Sequence, residues 1–209
     1  MAEYARRGFF EMAWLCAINL ATIAIAVGVV AKKEKTPLST RCLCLFISLI
    51  TLFFVVSGSM KMGMYIGSYG LSRLRVLTEV IMVFLAITTV LVAVWLFVPK
   101  MPYMKAVVMV GLIMGALVLW ADVDTVVAAY NVSAYQSGRL ETVDVWYLAR
   151  LSDSVVPYLE ELVNDSDPSV VSAANRFLQS RMIAESEDFR GWNYVNYMAA
   201  EILKNYRGG

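Results

Sequence analysis

The run from Met12 to Ala31 is about twenty residues long and carries no charge. At 1.5 Å per helical residue, that length crosses a hydrocarbon core about 30 Å thick. The run is longer than a secretory signal core. It ends in Lys32-Lys33-Glu34-Lys35 rather than at a small-residue cleavage site, so it reads as a retained membrane helix over about 10–31. Three more such segments follow. Cys42 to Val56 is too short alone, but continuing to Ile66 gives a span over about 42–66. A third runs over about 72–98, where Pro99 ends it, and a fourth over about 104–120. Trp120 and Tyr103 suit the two interfaces.

Charge divides the chain. Residues 1–120 carry eleven Lys/Arg and four Asp/Glu, a balance of +7; residues 121–209 carry seven and thirteen, a balance of −6. The sum is the +1 of the whole chain. Residues 1–120 therefore read as a four-helix transmembrane region with basic flanks, and 121–209 as an acidic, all-α extramembrane domain. The expected fold class is all-α: a membrane helical bundle followed by a small helical domain. In that domain Val126, Val127, Tyr130 and Ala134 read as the apolar face of a helix over about 124–135. Further helices are expected over about 144–151, 152–163, 169–183 and 189–206. No basic nucleic-acid footprint marks the polar half.

The chemistry-bearing residues are few. There is no histidine, which removes the commonest general base and metal ligand. Neither a Ser–His–Asp nor a Cys–His set can form. Cys16, Cys42 and Cys44 lie in or beside apolar runs and lack a second metal-type pair. Asp122, Asp124, Asp144, Asp153, Asp165 and Asp167 do not match a calcium loop and read as helix caps and a solvated acidic face. No cofactor, no metal and no enzymatic activity are expected.

The sharpest polar candidates lie around the junction from Met64 to Glu79. Lys61, Arg73, Arg75 and Glu79 sit near helix ends, where an ionisable group costs less than at mid-membrane. Arg75 and Glu79, one turn apart, are expected to pair on one face. The four read as an interfacial anchor, or as a contact for a headgroup, an anion or a proton. Asn19 reads as interhelical glue or as a substrate contact. Gly63/Gly67 and Gly111/Gly115 are each four apart and read as close-packing positions within one chain, with a homodimer seam as the alternative. Asn131, Asp188, Arg190, Trp192 and Asn193 are expected to form a structural polar cluster in the C-terminal domain.

Several segments carry a family resemblance: Glu3 to Glu11 (EYARRGFFE), Met64 to Arg75, Ala129-Tyr130-Asn131-Val132, Asp144 with Tyr147-Leu148 and Leu151-Ser152, Val156-Pro157-Tyr158-Leu159, and Asp188 to Asn193 with Ala199. In this order the chain resembles a bacterial polytopic membrane family, domain of unknown function forty-one seventy-three, related to forty-one fifty-three. The resemblance implies a bacterial plasma-membrane protein without assigned chemistry. It also implies membrane helices ahead of the Tyr-Ala-Arg-Arg-Gly-Phe-Phe segment in longer members, so the chain is expected to be a natural short form or a truncated one.

Two functional readings follow. In the first, the bundle anchors a helical domain that docks a protein partner, with the lipid bilayer and a second copy as further partners and no nucleic acid. In the second, the chain is a transporter or channel subunit with a polar path near Asn19, Arg75 and Glu79. Basic residues number five on one side and six on the other. The dense basic loop after the first span places that loop in the cytoplasm and the acidic domain outside.

Overall fold

The computed structural model describes residues 12, 14–25, 37–98, 100–180 and 194–207. Every regular element among them is helical. We name the apolar helix Trp14–Ile25 α1. It is followed by α2 (Leu38–Tyr69), α3 (Arg73–Phe97) and α4 (Tyr103–Trp120). Next come α5 (Val123–Gln136), α6 (Val145–Ala149), α7 (Val156–Glu161), α8 (Pro168–Ser180) and α9 (Tyr194–Arg207). Short 3-10 turns, Asp153–Val155 and Leu162–Asn164, flank α7.

Three helices, α2, α3 and α4, are long and apolar enough to cross a membrane. The first expected span is represented by α1; its flanks lie outside the described residues. At 32 residues, α2 extends past the expected 42–66 at both ends. Nothing between Leu38 and Tyr69 breaks it, and Gly63 and Gly67 are carried within the helix. It stops at Gly70, whose φ of 74° leaves the right-handed region.

The chain forms two compact units: residues 1–68 with 74–120, and residues 69–73 with 121–209. In the first unit, two apolar layers tie α1, α2 and α3 together. Cys16, Val55 and Met82 make one; Ile23, Cys44, Val92 and Leu96 make the other. The pairing fixes antiparallel neighbours, since rising numbers in α1 and α3 meet falling numbers in α2. The Trp95 and Tyr103 rings stack with centroids 5.5 Å apart, joining the end of α3 to the start of α4. No residue of α4 is buried. Large apolar side chains such as Leu112, Leu117 and Leu119 stand exposed along it, the surface a bilayer covers.

The second unit packs around α7. Val155, Val156, Leu159 and Leu162 are fully buried. Removing each such side chain from water contributes about 1.5–3 kcal/mol. Around them pack α5, α8 and α9. Helix α8 turns Val170, Ala174 and Leu178 inward, spaced four residues apart. From α9 come Ala199 and Leu203.

The buried face of α5 corrects the expected one. Asp124, Val127, Ala128, Asn131, Val132 and Ala134 are buried, whereas Val126 is 44% exposed. Two polar residues seven apart, Asp124 and Asn131, thus occupy the inward stripe. The expected cap at Asp144 is present, its carboxylate accepting from Tyr147 N–H at 2.8 Å. Asp165 and Asp167 accept from the Asp167 and Ser169 backbone N–H groups in the turn before α8. Asp124 is no cap and not solvated.

Candidate functional site

The α2–α3 connection is built into the second unit. Gly70 turns the chain with its positive φ, and the Cβ of any larger residue would lie 2.6 Å from Asn131 Oδ1. Glycine therefore lets the backbone reach the Asn131 amide. There the Leu71 N–H donates to Asn131 Oδ1 at 2.6 Å, and Asn131 Nδ2 donates to the Leu71 carbonyl at 2.9 Å. The side chain satisfies both polar groups of one residue of the connection, as a neighbouring strand would.

Two residues on, the Arg73 N–H donates to Tyr147 Oη at 3.0 Å. The Arg73 guanidinium donates through Nε and Nη2 to the two carboxylate oxygens of Asp124, a bidentate pair. Asp124 Oδ2 also accepts from the Ser152 N–H at 2.9 Å. The Arg73 side chain is 48% exposed and that of Asp124 only 9%. The Arg73 guanidinium, helped by Ser152, outweighs burial and holds the Asp124 carboxyl down at about 2. Near neutral pH this carboxylate is ionised and fully engaged. It holds the Arg73 guanidinium and the Ser152 N–H together.

The expected quartet is divided between the two units. Arg73 belongs to the second unit, whereas Lys61, Arg75 and Glu79 belong to the first. Arg75 lies over the Tyr65 ring, 4.3 Å from its centroid, a cation–π contact. Glu79 Oε1 is buried without a hydrogen-bond partner. Lys61 is exposed.

Asn19 lies between the two apolar layers of the first unit. Its Nδ2 donates to Thr51 Oγ1 at 3.0 Å, and Thr51 Oγ1 donates to the Ile47 carbonyl at 2.7 Å. The same height holds Ser48 in α2, with Thr88 and Thr89 in α3, all buried. Ser48 and Thr89 donate to carbonyls one turn back. Thr88 Oγ1 has no partner. The bundle thus carries a polar layer between two apolar ones.

The four glycines differ in what lies beside them. A Cβ on Gly63, Gly67 or Gly115 would meet nothing within 4 Å; only at Gly111 would it touch the Phe84 ring, at 3.5 Å. Of the expected C-terminal cluster, Asn131 serves the connection. Asp188, Arg190, Trp192 and Asn193 lie outside the described residues. Among the described residues no group of three His, Cys, Asp or Glu is placed to hold a metal.

The sequence pattern singles out Arg73 and Asn131 but does not show Asp124 and Tyr147 as partners of Arg73, or Ser152 as a donor to Asp124. The available signal was the spacing of Asp124 and Asn131, which puts both on the stripe of Val127 and Ala128.

Apolar helices of membrane-crossing length make this a multi-pass membrane protein in class. The chain belongs to the family described as domain of unknown function DUF4153, whose profile matches residues 1–162. That corrects the expected forty-one seventy-three to its relative. The match takes in every residue of the Arg73–Asp124 and Leu71–Asn131 contacts. Neither a curated protein nor a solved structure matches the chain.

Proposed function

We propose that the protein is a non-enzymatic, four-span protein of the bacterial plasma membrane, whose C-terminal helical domain docks a protein partner outside the cytoplasm. One observation carries this reading. The connection between two membrane helices is held by side chains of the C-terminal unit, Asn131, Asp124 and Tyr147. A partner that loads that unit therefore acts on the α2–α3 link through the covalent chain. Trp146 and Tyr197 stand 58% and 55% exposed on the unit, the residue types that anchor protein interfaces. A photo-crosslinking residue at either position, in the full chain in its native membrane, should give a discrete heteromeric adduct. Self-adducts alone, or none, defeat the docking reading. Periplasmic reporter fusions after residue 207 test the side.

A second reading, transport, is favoured by the buried, unpartnered Glu79 Oε1 in α3. Its test is cation or proton flux into proteoliposomes. Flux lost in a folded Glu79→Gln variant supports it; no flux by the unaltered protein rejects it.

A further inference from the structure

One end of the membrane bundle gathers basic residues. The layer of Ile23, Cys44, Val92 and Leu96, with Trp95 and Tyr103 packed on it, places the start of α2, the end of α3 and the start of α4 together. Arg41 lies one turn before Cys44, Lys100 between α3 and α4, and Lys105 in the first turn of α4. No acidic residue stands at this end among the described residues, so it carries three positive charges. None of the three makes an ion pair among the described residues. The Arg41 Nε is buried and lacks any hydrogen-bond partner. A buried guanidinium N–H costs free energy unless an acceptor reaches it. The stacked Trp95 and Tyr103 mark headgroup depth, where amphipathic rings settle. The charges near α3's other end are differently occupied: Arg73 is bound to Asp124 and Arg75 lies over Tyr65.

We propose that this end binds the phosphate of an anionic phospholipid headgroup. In this site the Arg41 guanidinium donates to phosphate oxygens, and Lys100 and Lys105 supply charge. Arg41 is suited to the central place because its planar fork matches phosphate geometry, while lysines act as point charges. Juxtamembrane basic residues each strengthen binding to an anionic surface by about fivefold. The inference rests on the reading that the bundle crosses a bilayer.

The test uses the full chain purified in detergent and returned to nanodiscs of phosphatidylglycerol or phosphatidylcholine. Retained lipid is counted by native mass spectrometry, and thermal stability is measured in both. We expect phosphatidylglycerol to be retained about tenfold over phosphatidylcholine, with that preference falling about fivefold in Arg41→Gln. A Lys61→Gln variant should keep it. If Arg41→Gln does not fold, Lys100→Gln with Lys105→Gln gives the same readout. Equal retention of the two lipids, or an unchanged preference in these variants, overturns the proposal. So does an equal stabilisation by inorganic phosphate, which marks a soluble-anion site instead. A chain that leaves the membrane without detergent defeats the membrane reading itself, a separate outcome.

Discussion

Arg73 and Asp124, 51 residues apart in sequence, form a bidentate ion pair in which the acid is buried and the base is half exposed. That asymmetry sets what each contributes. Arg73 can recover hydration if its partner is lost. Asp124 cannot, since it also accepts from Ser152 inside the unit. The pair therefore works as a latch closing on the acid, and the acid is where substitution costs most.

Replacing Asp124 with Asn keeps the shape and removes the charge. The amide can still accept from one donor, but one of its two former acceptor positions becomes an N–H₂ facing Arg73 or Ser152. We expect a loss of about 1–3 kcal/mol. Arg73→Gln should cost more than a surface pair, which is worth about 0–1 kcal/mol, because it strands a buried carboxylate. Thermal unfolding of the detergent-purified chain, arranged as a double-mutant cycle, checks both values. Strictly additive losses would show that the two side chains are not coupled.

Acid should weaken the same latch. The Asp124 carboxyl is depressed from 3.8 to about 2 in the folded chain. A depressed acid stabilises the fold fully above its unfolded pKa, and that contribution is lost as pH falls through the folded value. The full linkage is about 2.4 kcal/mol. Solvent at the half-exposed Arg73 reduces the working figure to about 1–2 kcal/mol. Stability should thus hold from pH 7 to about 4 and fall from there towards pH 2. Asp167, also held low by the Ser169 hydroxyl, contributes to the fall in the unaltered chain and in variants alike. Chemical denaturation at pH 6, 4 and 3 should find the gap between the unaltered chain and Asp124→Asn narrowing with acid. A constant gap excludes the carboxylate as its source.

The membrane helices were legible because charge-free length is a local property; α3 and α4 end within two residues of where the sequence places them. The latch was not legible because its halves are far apart. Local periodicity prefers Val126 on the inward face of α5, since valine is apolar and Asp124 is not. Tertiary partners reverse that choice. Arg73 lies 51 residues from Asp124 and Leu71 lies 60 from Asn131, and they supply what makes the two polar side chains affordable inside. Nor does spacing along the helix announce the contact of Arg75 with the Tyr65 ring, ten residues away on α2.

Two glycines with nearly the same backbone separate strain from collision. Gly70 has φ of 74° and Gly138 has 72°. An alanine Cβ at 138 would meet nothing within 4 Å, but at 70 it would strike Asn131 Oδ1. Gly138→Ala should cost only the left-handed penalty, about 1–2 kcal/mol. Gly70→Ala should add the loss of one or both Leu71–Asn131 hydrogen bonds, about 1–3 kcal/mol more. In an Asn131→Ala background the extra cost at Gly70 should shrink towards that at Gly138. Equal costs in the unaltered chain would contradict the close approach.

Gly115 offers a test of what covers α4. A Cβ there meets nothing within 4 Å, so Gly115→Leu should leave the thermal stability of the single chain unchanged or slightly raised, since glycine in a helix interior costs about 1 kcal/mol against alanine. Were two copies to pack through the Gly111 and Gly115 face, leucine would hold their backbones apart and disperse the dimer. Light scattering of the detergent complex, compared with its melting temperature, separates these outcomes. An unchanged mass with unchanged melting assigns this face to lipid. A halved mass assigns it to a second copy. A lower melting temperature at constant mass would mean that the Gly115 face packs within the chain.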